Sequence, residues 1–64
     1  MTQKELLYME DATNHEKSII TIINESLNYL EDPSLVSFMK KELKRHQLME
    51  QKLVSKLEDK ANEW

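Results

Sequence analysis

The chain predicts an all-α fold, an antiparallel hairpin of two long helices. Three observations carry that expectation. The 64 residues contain no Gly and a single Pro, placed at the middle of the chain. On both sides of that Pro, apolar residues recur at steps of three and four, which is the spacing of a helix face. Each run is also preceded by a helix-start signal.

The first signal is Thr2-x-x-Glu5. Its hydroxyl is placed to accept from the Glu5 amide while the Glu carboxylate reaches back to the Thr2 amide, a capping box. From there Leu6, Met9, Ala12, Ile19, Ile20, Ile23, Leu27 and Leu30 define one face, widened by Tyr8, Ile22 and Tyr29. Ile19 to Ile23 is rich in β-branched residues, but a strand does not account for the helical spacing on both sides of it. Helix 1 is expected over about 3–31.

Asp32-Pro33 supplies the turn. Pro disfavours the α conformation at the residue before it, and Asp is a good N-cap with Pro at the first helical position behind it. Helix 2 then follows over about 33–63, with Leu35, Met39, Leu43, Met49, Leu53, Leu57, Ala61 and Trp64 on one face. Val36, Phe38 and Val54 lie at its margins, and Trp64 is expected to cover the bundle end. Two helices of about 45 Å joined by a tight turn form a hairpin in which position i faces roughly 65 minus i.

A domain this small buries too little surface to be comfortable as a monomer, and with no Cys it has no disulfide to help. The stripe of helix 1 is wider than a two-helix seam requires. Pairing two hairpins into a homodimeric four-helix bundle would cover it.

Composition excludes several classes of function. No segment has the roughly 20 apolar residues of a membrane span, and Met1 to Leu7 lacks the pattern of a secretory leader, so the expectation is an intracellular protein. The absence of Gly removes phosphate-binding loops, and the absence of Cys removes thiolate chemistry. Residues 1–32 carry two Lys against seven carboxylates, a net −5; residues 33–64 carry seven Lys or Arg against five carboxylates, a net +2. The basic cluster Lys40, Lys41, Lys44 and Arg45 has no aromatic platform beside it. It reads as a solvated face complementary to acidic helix 1, and no nucleic-acid partner is expected.

Three ionisable residues interrupt the apolar faces: Glu16 on helix 1, and His46 and Glu50 on helix 2. Buried charge is costly unless paired, hydrogen-bonded or metal-bound, so these positions concentrate the functional information. With i facing 65 minus i, Glu16 is level with Met49, within a turn of both His46 and Glu50. Glu42 lies one turn before His46, nearer the edge, and His15 lies toward the rim beside Asp11. A polar layer that fixes helix register is the commoner device and the first expectation. The alternative is a metal site for iron, manganese or zinc. There a two-fold dimer doubles Glu16, His46 and Glu50 to four carboxylates and two histidines, with His15 and Glu42 in support.

The inward Glu16, the His15-Glu16 pair and His46-x-x-x-Glu50 on a helical hairpin resemble half of a ferritin-like or rubrerythrin-like bundle, and also the short coat F family of bacterial spore-coat proteins. The resemblance implies a ferritin-like four-helix bundle completed by dimerisation. It also implies either iron chemistry or a structural place in the spore coat. Ferritin-like sites carry Glu-x-x-His on the second helix. Here the order is His46-x-x-x-Glu50, with Glu42-x-x-x-His46 as the Glu-before-His alternative.

The leading expectation is therefore a small structural or assembly protein of spore-coat type, cytoplasmic or spore-located, since the residues form no complete catalytic constellation. A ferritin-like metal-binding protein is the second. A regulatory protein–protein interaction module is the third, lowered by the absence of the Ser-Gln-Glu-Leu-Asp signature found in one phosphatase family of short hairpins.

Overall fold

The computed structural model describes residues 1–61, and within them the protein is two helices and no strand: α1, Gln3–Leu27, and α2, Pro33–Ala61. They lie antiparallel in a rod of 48 × 15 × 12 Å. The end of helix 2 expected at 62–63, and the expected cover by Trp64, fall outside the described residues.

Both helix starts form as their sequences dictate. Glu5 N–H donates to Thr2 Oγ1 at 3.1 Å and Thr2 N–H donates to Glu5 Oε1 at 2.8 Å, closing the capping box. Asp32 Oδ1 accepts from the Ser34 amide at 2.8 Å, the Ser34 hydroxyl at 2.7 Å and the Leu35 amide at 3.3 Å. Pro33 occupies the first helical position, where its missing N–H leaves no bond unmade.

The end of α1 differs from expectation. It stops at Leu27, four residues short of 31. The chain contains no Gly to take a left-handed cap, and no described residue has a positive φ. The last turn tightens instead, with the Asn28 amide donating to Glu25 O at 3.1 Å and the Tyr29 amide to Ser26 O at 3.0 Å. Asn and Tyr are mediocre helix formers, so nothing local prolongs the helix against this tightening. The connection is longer than a two-residue turn, and the register moves with it. Glu16 meets His46, so position i faces about 62 minus i.

The seam follows an alternation of three- and four-residue steps. On α1 it runs through Leu6, Met9, Thr13, Glu16, Ile20, Ile23, Leu27 and on to Leu30; on α2 through Val36, Met39, Leu43, His46, Glu50, Leu53, Leu57 and Lys60. All are at least half-buried. This is the heptad pattern of helices packed along a shallow crossing. Two expected seam positions of helix 2 are displaced by one residue: Leu35 is 49% exposed and Met49 45% exposed, while Val36 and Glu50 take the inward places. A one-residue step rotates a side chain by about 100°, and α2 carries apolar residues on both sides of that step. Ala61, also expected inward, is exposed.

A single hairpin encloses little. Ile23, 5% exposed, is the one buried apolar residue among those described, and Thr13, 6% exposed, the one buried polar residue. The accessible surface is 5158 Å² for 7.7 kDa, against about 4,300 Å² for a compact monomer of that mass. Much of the apolar part lies on one side of the rod. Glu5 and Met9 line the same cleft as Lys56 and Lys60. The side that carries Glu5, Ala12 and Ile19 on α1 is therefore the side that carries Leu35, Glu42, Met49 and Lys56 on α2. Tyr8, Ile22, Leu35, Phe38 and Met49 are exposed on that side. No helix among the described residues is long and apolar enough to cross a membrane.

Candidate functional site

Near the middle of the rod the seam turns polar. Glu16 replaces an apolar residue in α1 between Thr13 and Ile20, and His46 does so in α2 between Leu43 and Glu50. The shared register aims them at each other: His46 Nδ1 and Glu16 Oε2 are 2.5 Å apart, with the side chains 15% and 12% exposed. Where Glu16 is ionised its carboxylate only accepts, and Nδ1–H is the donor of this hydrogen bond.

That bond leaves Nε2 pointing along α2 toward Glu42, whose Oε2 lies 3.6 Å away. The separation is too long for a hydrogen bond, and the attraction there is electrostatic at most. Glu42 itself is held by Arg45, which donates from Nη2 at 2.8 Å and from Nε at 3.3 Å. The hydrogen bonds to Glu42, reinforced by its charge, hold the Arg45 guanidinium above its ordinary pKa. A line of ionisable side chains thus runs Glu16, His46, Glu42, Arg45, from the seam out to the apolar side of the rod. No buried side-chain nitrogen or oxygen among the described residues is left without a partner.

The other expected site residues stand differently. Glu50 is half-buried, one turn beyond His46, and makes no hydrogen bond or ion pair among the described residues. His15 is exposed between Tyr8 and Ile22, a seven-residue step from each, and does not reach the layer. Within one hairpin no three His, Cys, Asp or Glu side chains among the described residues are grouped as a metal ion requires. The structure brings together Glu16, His46 and Glu42, and the expected register partner Met49 lies outside the layer. Arg45 pairs within its own helix; no ion pair joins Lys40, Lys41 or Lys44 to α1 among the described residues.

Thr13 belongs to the same stretch of seam and was not expected there. Its hydroxyl donates to Met9 O at 2.8 Å, which satisfies it inside its own helix and lets a polar residue sit buried in the seam. The signal was available in the step from Met9 to Thr13 to Glu16.

Against known proteins, no family model, curated protein or solved structure matches this chain.

Proposed function

We propose that the protein is a structural or assembly component that works as a homodimeric four-helix bundle, resembling the short spore-coat proteins, with the Glu16–His46 layer as its register pin. The observation that supports this reading most is the Glu16–His46 contact. It links the two groups across the seam, as a polar pin does in a coiled coil. An intracellular setting, cytoplasmic or in the spore, accords with that role, and its partners would be other proteins of a coat or similar assembly.

Light scattering at micromolar concentration tests the assembly. A mass twice 7.7 kDa is expected, and a single-chain mass would contradict the reading.

One observation favours a second reading. Glu50 is a half-buried carboxylate with no partner in its own hairpin, one turn from His46. Two-fold doubling would bring Glu16, His46 and Glu50 to the four-carboxylate, two-histidine inventory that takes iron, manganese or zinc, with Glu42 and His15 nearby. Under that reading, metal at about 100 times its Kd stabilises the fold by roughly 2.7 kcal/mol. The reading fails if protein purified without chelator holds no stoichiometric metal and its melting temperature ignores added metal.

A further inference from the structure

We infer that the two hairpins pair through the apolar side of the rod with their turns at the same end, so that each α1 lies against the partner's α2. This rests on the dimer reading above and specifies its geometry. The occupant of that side is taken to be a second copy because of area. The chain exposes roughly 850 Å² more than a compact monomer of its mass. A standard protein interface buries about 800 Å² per partner.

Face-to-face pairing of two hairpins about a two-fold axis has two forms. With the axis along the rod, the turns coincide and unlike helices meet. With the axis across the rod, the turns lie at opposite ends and α1 meets α1 while α2 meets α2.

Two independent features select the first form. The apolar surface is uneven along the rod: Ile22, Leu35 and Phe38 crowd the turn end, while at the open end of the same side Tyr8 stands among Glu5, Lys52 and Lys56. Same-end pairing sets apolar against apolar. Opposite-end pairing sets most of the turn-end patch against charge.

Charge placement agrees. On the flank of α1 next to this side stand Lys4, Asp11 and Glu25. With i level with 62 minus i, same-end pairing puts them within about a turn of the partner's Asp59, the partner's Lys52 and the partner's Lys41. Each is a match of opposite sign. Opposite-end pairing keeps one match, Lys4 with the partner's Glu25, and sets Lys41 level with the partner's Lys52; the two-fold axis repeats every contact, so six matches stand against two matches and two clashes.

The chain has no Cys, so a spin label on Glu31→Cys, an exposed position in the turn, reports the choice by pulsed dipolar spectroscopy alongside the mass. Two rods 15 × 12 Å in section place the labels within about 30 Å if the turns coincide. Opposite ends of a 48 Å rod place them about 40 Å or more apart. A two-chain mass with the short distance is expected. A two-chain mass with the long distance overturns this geometry and leaves the dimer standing. Any other mass overturns the dimer itself, and this inference with it.

Discussion

Glu16 and His46 stand thirty residues apart in sequence and 2.5 Å apart across the seam. They are also the one step where polar side chains from both helices meet, in a ladder that is otherwise Leu, Ile, Val and Met with Thr13, Glu50 and Lys60. An apolar seam of this kind slides at little cost, because a shift by one heptad replaces one aliphatic contact by another. A donor and acceptor that meet in one alignment only remove that freedom, since every other alignment leaves both groups desolvated and unmatched.

Replacing Glu16 and His46 together by Leu is expected to be tolerated, with thermal stability between unchanged and about 2 kcal/mol higher, because apolar packing often outperforms a buried ionic pair. The loss should appear in uniqueness. Amide spectra that stay as sharp and singly populated as those of the wild type would show that the pair does not choose the register.

Thr13→Val is expected to leave stability within about 1 kcal/mol of the wild type, or raise it. The hydroxyl is bonded only to Met9 O within its own helix, so its removal leaves no orphaned donor across the seam. A chemical-denaturation loss well beyond that bound would mean that the hydroxyl has a partner in the assembled protein.

Acid should weaken the helix starts. Hydrogen bonds from the Ser34 hydroxyl and from the Ser34 and Leu35 amides hold the Asp32 carboxyl below its ordinary 3.8. The Thr2 amide and hydroxyl hold Glu5 below its ordinary 4.5. A carboxyl with a lowered folded-state pKa contributes stability that is fully present above the unfolded value and lost as pH falls through the folded one. Stability should therefore be flat toward pH 5 and fall below about pH 4 as these caps protonate. Asp32→Asn keeps the cap geometry and should remove its share of that acid dependence. Asp32→Ala should lower the melting temperature by about 5 °C at neutral pH.

Phe38→Lys tests the apolar side from the opposite direction. Phe38 is exposed in the hairpin, so a single rod loses nothing by the change, whereas an assembly that buries it gains an unpaired charge. At equal concentration the measured mass should move toward one chain while helix content per chain falls only as far as the two are coupled. An unchanged mass would place the interface elsewhere.

Much of this architecture could be read from the residues. The capping box at Thr2 and Glu5 and the Asp32-Pro33 start are local chemistry, complete within four residues, and they formed as their sequences dictate. The helical spacing likewise led to two helices, and the cost of burying Glu16 and His46 marked them in the sequence itself. Register was not legible, because it depends on where α1 stops, and that rests on backbone bonds at Asn28 and Tyr29 which no side-chain pattern announces. The inward choice between Leu35 and Val36, or Met49 and Glu50, was hidden for another reason: α2 has apolar residues on two adjacent stripes, and periodicity alone does not say which stripe meets α1. Glu42 beside His46 was legible from their four-residue spacing on one helix, whereas its capture by Arg45 followed from structure.

The register-pin account is tested most directly by a double-mutant cycle on Glu16→Ala and His46→Ala, with stability measured by denaturation in the presence of chelator. The pair is nearly enclosed and joins two elements that otherwise meet mainly through apolar side chains. Each single change should destabilise by about 1–3 kcal/mol, with a coupling of roughly 1 kcal/mol or more between them. Additive effects with no coupling would contradict the account.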